Sequence, residues 1–264
     1  MTRKLSEIFS LNALKHIAYL PTIISKVDNW FSFVMNYIGF TNVGTLYNFR
    51  SGLKIVTNEG IDTATIIVVF FKHDYGSIED NSTVIDIGGN IGSFSLYAGS
   101  SAKNTKVYVY EPLPKTFDLL SENIRINNFE NKISAFNFGV GSKKEKRKLF
   151  LTGGSPFNTL YSDKLDDNYV EINLLSLEDI FVENNIEKCD VLKCDCEGAE
   201  YEIFYNAPDK YLQKINEIRF EYHNLTNKKS NIDDLTIFLE GKGFKRTIFR
   251  ADTTLSGNAW FKRQ

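Results

Sequence analysis

The sequence contains little proline, little cysteine and no excess of charge of either sign. Its 264 residues include 5 Pro and 3 Cys, and 31 basic against 33 acidic residues give a formal net charge of −2. Because 42% of the residues are apolar, the chain can bury a large core, which excludes long disordered stretches. A neutral chain gives no electrostatic reason to expect a nucleic-acid partner, since such partners require a basic face.

The three cysteines are Cys189, Cys194 and Cys196. An odd number of cysteines in a chain of this size does not indicate a disulfide framework. A single Cys-x-Cys pair without a second pair also lacks the spacing of a zinc site. We therefore predict reduced cysteines around a buried strand, as suits a cytoplasmic protein.

The amino-terminal part lacks the patterns of a secretory signal and of a transmembrane segment. Residues 1–20 contain no long apolar stretch. Residues 29–49 are uncharged but contain too much Asn, Ser, Thr and Gly for a membrane span. Apolar residues at helical spacing over 30–38 predict a helix instead. We expect residues 1–50 to form a helical extension of two or three helices packed on the core; a homodimer contact, a lid or membrane-surface attachment are alternatives.

Strands and helices alternate through residues 51–264, which predicts one Rossmann-like α/β domain. The predicted strands are 52–58, 62–71, 83–87, 106–110, 133–138, 190–194, 217–222, 245–250 and 258–262, with an inserted β segment over 147–174. Such alternation indicates a doubly wound, mostly parallel sheet. The last two strands are joined by a short connection and must be antiparallel to each other. We predict that the main sheet has seven strands, one of them antiparallel.

A glycine-rich turn follows the strand 83–87. Glycines there allow a tight turn and close approach of a ligand to the backbone, and the next helix points its amino terminus at the same place. Glu111 ends the following strand, where an acid can accept hydrogen bonds from two ribose hydroxyls. The predicted cofactor-binding residues are Asp86, Gly88, Asn90, Gly92, Glu111 and, on weaker grounds, Asn137.

Two cofactors compete for this turn. A dinucleotide fingerprint needs a second glycine where this chain has Asn90. The charge of Asp86 is unfavourable beside a pyrophosphate but suits the amino group of a methionine moiety. The pattern therefore favours S-adenosylmethionine over a nicotinamide or flavin dinucleotide, and an ordinary strand–turn–helix without a ligand remains the third alternative.

A charged segment follows the predicted strand 190–194. Because alternate residues of a strand share a face, Lys193, Asp195 and Glu197 are expected to point the same way. Charges on an otherwise buried strand are costly unless they are paired or functional. We therefore predict catalytic roles for these three residues, with Lys193 orienting the carboxylates.

His223 follows the strand 217–222 and lies near Glu221 in sequence. An imidazole with a pKa near neutrality is suited to remove a proton from a substrate, so His223 is a candidate base beside Asp195 and Glu197. A magnesium ion held by Asp195, Glu197 and Glu221 is an alternative. The positive charge of Lys193 argues against it, and we predict a site without a metal.

These segments together resemble the FkbM family of methyltransferases. The resemblance lies in residues 84–95, 109–112, 177–179, 192–200 and 221–223, and it covers about residues 75–250. It implies the class I methyltransferase fold, S-adenosylmethionine as cofactor and transfer of a methyl group to oxygen on a sugar or natural product. A methyltransferase-like module that binds a ligand without catalysis, or a nicotinamide-dependent oxidoreductase, are the alternatives.

Overall fold

The computed structural model describes residues 18–60, 62–151, 168–225 and 230–264. The described strands are β1 (Leu46–Asn48), β2 (Lys54–Val56), β3 (Thr83–Ile87), β4 (Lys106–Tyr110), β5 (Ile133–Phe136), β6 (Gly139–Gly141), β7 (Glu145–Phe150), β8 (Tyr169–Ser176), β9 (Cys189–Cys194), β10 (Ile215–His223), β11 (Phe244–Ala251) and β12 (Ser256–Arg263). The described helices are α1 (Leu20–Lys26), α2 (Trp30–Tyr37), α3 (Asp62–Phe70), α4 (Ser93–Ser101), α5 (Pro114–Ile126), α6 (Leu177–Glu183), α7 (Glu200–Asn206), α8 (Asp209–Leu212) and α9 (Ile232–Gly241).

The centre of the molecule is a seven-stranded sheet with the order β11-β12-β10-β9-β3-β4-β5. Strand β12 runs antiparallel to both of its neighbours, and the remaining adjacent pairs are parallel. The predicted fold class is therefore confirmed, including the seven strands and the single antiparallel one.

The two faces of this sheet are buried in separate hydrophobic clusters. Side chains alternate along each strand, so Ile85 of β3 packs on one face with Leu192, while Val84 packs on the other with Val191. Central strands that are buried on both faces have to be apolar along their whole length. Asp86 of β3 is an exception: it is completely buried and lies opposite Lys193 in the register of β3 and β9.

Residues 62–71 were predicted as a strand, and this prediction is wrong. They form helix α3, which packs against both α2 and α4. The helix is apolar on nearly every side, and such a run does not show the helical period by which an amphipathic helix is recognised. Its first residue, Asp62, holds the loop that precedes the helix, because its Oδ2 accepts the backbone N–H groups of Asn58 and Glu59.

The described part of the predicted extension packs on the domain. Ile23 of α1 and Phe33 of α2 belong to the same hydrophobic cluster as Leu96 of α4, and β1 pairs antiparallel with β2. The predicted packing of helices on the core is confirmed for these elements, whereas a domain boundary at residue 50 and a homodimer contact stay predictions. Within the described ranges, no helix combines the length and the apolar character needed to cross a membrane.

The inserted β segment forms a three-stranded sheet of the order β6-β8-β7. Strands β7 and β8 pair antiparallel, and residues 152–167 between them lie outside the described residues. Helix α6 begins directly after β8 with a capping box, in which the Ser176 side chain accepts the N–H of Asp179 and the Asp179 side chain accepts the N–H of Ser176. The prediction of a helix start at this position is confirmed.

Candidate active site

A cavity of about 340 Å³ lies at the carboxyl ends of β3, β4 and β9. This is the edge of the sheet at which doubly wound folds bind their ligands. The predicted residues that line it are Gly88, Asn90, Glu111, Lys193, Asp195 and Glu197, and they are joined there by Tyr75 and Glu221. The predicted residues Asp86, Gly92, Asn137 and His223 are not among its lining residues.

The glycine-rich turn is in van der Waals contact with the segment that follows β9. A Cβ atom on Gly88 would lie 1.9 Å from the carbonyl oxygen of Asp195, and the φ angle of Gly88 is +77°. The backbone N–H groups of Gly88 and Gly89 both donate to the carbonyl of Tyr110, each at 3.0 Å. The turn therefore requires a residue without a side chain at position 88 and is tied to the end of β4.

Glu111 is a buried carboxylate that is 7% exposed. Its two oxygens accept the backbone N–H groups of Asn90 and Leu113, each at 2.9 Å. Burial raises the pKa of Glu111 to about 7, although these two hydrogen bonds act in the opposite direction. Each carboxylate oxygen has a second lone pair, so Glu111 can still accept hydrogen bonds from a ligand in the cavity.

Asn137 holds the backbone segment that carries Glu111. Its side-chain amide donates to the carbonyl oxygens of Glu111 at 2.9 Å and of Pro112 at 3.1 Å. Both amide N–H groups are thus used to brace the segment after β4, so Asn137 positions Glu111 in this structure. The predicted role of Asn137 in binding the cofactor stays a prediction.

Asp86 and Lys193 form a buried ion pair beneath the cavity. Lys193 Nζ lies 3.1 Å from Asp86 Oδ1, with side-chain exposures of 5% and 0%. Lys193 Nζ also donates to the carbonyl of Gly88 at 2.7 Å, and the hydroxyl of Ser95 donates to Asp86 Oδ2 at 2.6 Å. The charge of Asp86 is therefore compensated inside the protein, and its predicted role beside the amino group of a methionine moiety stays a prediction.

Opposite the glycine-rich turn and Glu111, the cavity is lined by three carboxylates, those of Asp195, Glu197 and Glu221. Together with His223, which lies close to them, we call these residues the acidic cluster. The hydroxyl of Tyr75 donates to Asp195 Oδ2 at 2.9 Å. His223 Nε2 lies 3.6 Å from Glu197 Oε2 and 3.9 Å from Glu221 Oε1. Asp195 and Glu197, which follow β9, and His223, which ends β10, are thus brought together.

The strand-face argument for Glu197 is wrong, although Glu197 does line the cavity beside Asp195. Strand β9 ends at Cys194, so Glu197 does not share a strand face with Lys193. The chain instead turns sharply, with φ angles of +53° at Glu197 and +104° at Gly198. This turn directs the carboxylate into the cavity.

Burial and mutual repulsion change the proton affinities in the acidic cluster. Burial raises the pKa of Glu197 to about 7 and that of Glu221 to about 8, and neighbouring carboxylates add to both shifts while His223 opposes them. Burial alone would lower the pKa of His223, but its hydrogen bond with Glu200 and the surrounding carboxylates raise it to about 10. An imidazole that holds its proton at neutral pH cannot accept another, which argues against the predicted role of His223 as base.

Two residues of the site had not been recognised from the sequence. Glu200 is completely buried, accepts the backbone N–H groups of Cys196 and Gly198, and lies 3.2 Å from His223 Nδ1. Its position directly after the turn of 195–198 could have suggested this role. Tyr75 lies in a loop 120 residues before Asp195 in the chain, and no local pattern marks it.

The three cysteines of this region are free thiols in the structure. Cys189 and Cys194 are buried and free, and Cys196 is half-buried and also free. Burial raises the pKa of the Cys194 thiol, although its hydrogen bond with Cys196 acts in the opposite direction. The hydrogen bond with Cys194 and burial both raise the pKa of the Cys196 thiol. Neither thiol therefore has the character of an activated nucleophile.

Comparison with known proteins places the chain in one family. The model of the methyltransferase FkbM domain matches residues 86–246. Methyltransferase sdnD of Sordaria araneosa is 27% identical over 216 residues, which cover 70% of this chain and 82% of that protein. The 31-O-demethyl-FK506 methyltransferase FkbM of Streptomyces tacrolimicus is 23% identical over 195 residues, which cover 63% of this chain and 74% of that protein.

A solved structure supports the same fold. The methyltransferase FkbM from Methylobacillus flagellatus KT superposes with a TM-score of 0.51 at 12% identity, and the match covers 95% of this chain and 60% of that one. At this identity the likeness shows the fold alone. Because the family model spans more than half of the chain and includes both ends of the cavity, the chain belongs to the FkbM methyltransferase family.

Proposed function

We propose that the chain is an S-adenosylmethionine-dependent O-methyltransferase that acts on a hydroxyl group of a small natural product or sugar. The observation that supports this most directly is the continuity of the cavity. One end is formed by the glycine-rich turn and the buried carboxylate of Glu111, and the other end by Asp195, Glu197 and Glu221. A methyl donor and an acceptor bound at these two ends would meet inside one enclosure.

The residues at the first end fit S-adenosylmethionine. Gly88 and Asn90 present backbone to the cavity, and Glu111 presents a carboxylate that can accept ribose hydroxyls. A volume of about 340 Å³ lies within the range of small-ligand pockets. The carboxylates of the acidic cluster provide a negative potential for a sulfonium cation. When bound, this cofactor supplies an electrophilic methyl group on a positively charged sulfur.

The acidic cluster would carry the proton. The bound cofactor would supply its methyl group to the acceptor oxygen, whose hydroxyl proton has to be removed. The hydroxyl proton passes to a carboxylate, for which Asp195 and Glu197 are the candidates because both line the cavity. Tyr75 holds Asp195 in place through its hydroxyl. Much of the acceleration comes from holding the three reacting atoms in line.

Calorimetric titration with S-adenosylmethionine, S-adenosylhomocysteine and NAD tests the cofactor half of this proposal. We expect the first two to bind and NAD not to bind. Mass spectrometry of hydroxylated acceptors incubated with the protein and S-adenosylmethionine then tests the transfer. Binding of NAD in place of the other two would indicate an oxidoreductase, and binding of S-adenosylhomocysteine without transfer to any acceptor would indicate a module that does not catalyse.

The affinity for S-adenosylhomocysteine is expected to depend on pH through Glu111. Its pKa of about 7 lies above the ordinary value of 4.5, so the carboxylate becomes ionised as the pH rises through about 7. Only the ionised form offers all its lone pairs to ribose hydroxyls, so binding should tighten between pH 6 and pH 8. Glu111→Gln should bind about 10- to 100-fold more weakly at pH 8, since a hydrogen bond to a charged group is worth about 1.5–3 kcal/mol.

The ligand also has ionisable groups, but they affect the variant and the wild type equally. We therefore compare the ratio of the dissociation constants of Glu111→Gln and the wild type at each pH. A control variant, Glu122→Gln, changes an exposed carboxylate on α5 and should follow the wild type. A ratio for Glu111→Gln that stays constant between pH 6 and pH 8 would show that this carboxyl group does not titrate in the complex.

A further inference from the structure

We propose that Asp195, Glu197 and His223 form a binding site for a divalent transition-metal cation in the acidic cluster, at the end of the cavity where the acceptor would bind. Each residue offers one ligand atom, and these atoms lie within 4.8 Å of one another. Two ligands of one ion at metal–ligand distances of about 2.0–2.2 Å can be at most about 4.4 Å apart. A small inward movement of the side chains would therefore place all three atoms on a single ion.

The orientation of His223 is an independent observation that points to an ion. Its Nδ1 atom is held at 3.2 Å by Glu200, which is completely buried and lies outside the ligand set. The ring therefore directs Nε2 towards Glu197 and Glu221, at 3.6 and 3.9 Å, which is too long for a hydrogen bond. Metal-binding histidines have this arrangement, in which the second nitrogen is fixed by a carboxylate and the first faces the ion. An ion bound at Nε2 would displace the proton that this nitrogen carries in the imidazolium form, so binding would release a proton.

The positive charge of Lys193 was the reason to predict a site without a metal. In the structure that charge is already paired, because Lys193 lies 3.1 Å from Asp86 and donates to the Gly88 carbonyl. The acidic cluster itself brings three carboxylates around one imidazole. A divalent cation would reduce the mutual repulsion of these carboxylates in a half-buried site.

The donor set selects the class of ion. Mg²⁺ and Ca²⁺ are bound by oxygen ligands, whereas an imidazole nitrogen beside two carboxylates suits Mn²⁺, Fe²⁺ or Zn²⁺. Asp195 and Glu197 both line the cavity, so the ion would be within reach of an acceptor oxygen. This role of the ion rests on the proposed function: an oxygen bound to the ion would lose its proton more easily. Binding of the ion itself does not depend on that function.

Titration of the full chain with Mn²⁺, followed by electron paramagnetic resonance of the free ion, tests the site. We expect the wild type to bind about one Mn²⁺ per chain. Asp195→Asn, Glu197→Gln and His223→Gln should each weaken binding by about 100-fold or more, and Glu200→Gln, which removes a positioning residue, by about 10- to 100-fold. Circular dichroism and thermal unfolding of each variant show whether it is folded.

The matched control is Asp252→Asn. Asp252 is an exposed carboxylate whose charge acts on Glu221, but it contributes no ligand atom. If the cation is held by direct ligation, Asp252→Asn should change the Mn²⁺ affinity by less than about threefold. Wild-type protein that leaves millimolar Mn²⁺ free, or Asp195→Asn and Glu197→Gln variants that bind like the control, would overturn the proposal. S-adenosylhomocysteine binding is measured on the same samples, so failure of the metal site is separable from failure of the proposed function.

Discussion

Asp195→Asn is expected to lower the turnover of a true acceptor by a factor of about 100 to 10 000, the usual contribution of a proton-transfer group. Asp195 lines the cavity at the acceptor end, and its position follows directly from the end of β9. Asparagine has nearly the same shape, and its amide oxygen can still accept the hydrogen bond from Tyr75. The affinity for S-adenosylhomocysteine should therefore stay within about threefold of the wild type.

Tyr75→Phe is the control for this variant. It removes the hydrogen bond to Asp195 but leaves the carboxylate, so turnover should fall by no more than about tenfold, in line with the loss of one hydrogen bond of about 1.5 kcal/mol. Single-turnover kinetics with saturating cofactor separate the chemical step from binding. Turnover of Asp195→Asn within tenfold of the wild type would show that another group takes the proton.

Lys193→Met is expected to lower the free energy of unfolding by about 3–5 kcal/mol, the cost of leaving one partner of a buried ion pair without the other. Asp86 is completely buried, and loss of Lys193 would leave it with the hydroxyl of Ser95 as its remaining side-chain partner among the described residues. Lys193 also donates to Gly88, so the turn would lose a contact. Denaturant unfolding followed by circular dichroism measures the change.

A double variant tests whether the loss comes from the unpaired charge. Asp86→Leu combined with Lys193→Met replaces both charges by apolar side chains, and buried ion pairs replaced in this way often keep or gain stability. We expect the double variant to recover most of the stability lost in Lys193→Met. The double-mutant cycle should therefore give a large interaction energy between Asp86 and Lys193. A double variant as unstable as the sum of the two single ones would refute the pairing as the cause.

The central strands could be predicted closely because burial on both faces leaves a strong local pattern. The structure places β3 at Thr83–Ile87 and β4 at Lys106–Tyr110, with the bounds expected from the sequence. Each is a short run of β-branched or aromatic residues that ends at a turn or an acidic residue. The antiparallel β12 could also be predicted, because a short connection permits no other pairing.

Helix α3 could not be predicted in the same way. Its residues Ile66, Ile67 and Val69 are β-branched and buried, and locally they have the composition of a strand. Tertiary packing decides between the two conformations, because the helix packs against both α2 and α4. A pattern within one segment contains no information about these neighbours.

The sequence indicated which residues lie in the site, but not which of them form ion pairs or hydrogen bonds with each other. Glu111 and Asp195 lie where the ends of β4 and β9 were expected. The partner of Lys193 proved to be Asp86, since the two are opposite each other in the register of β3 and β9. The contact of Tyr75 with Asp195 depends on a loop that is distant in sequence, and only the folded chain brings them together.

The contact between the glycine-rich turn and the segment after β9 has a consequence for how the pocket can change in evolution. The backbone of Gly88 lies against that of Asp195, and the N–H of Asp195 donates to the carbonyl of Ile87 at 3.1 Å. The spacing between the two ends of the cavity is thus set by main chain and not by exchangeable side chains. Its walls, in contrast, come from side chains such as Val68 and Ile172 on peripheral elements. Substitutions in those walls can reshape the cavity for a new acceptor while the reacting groups keep their alignment.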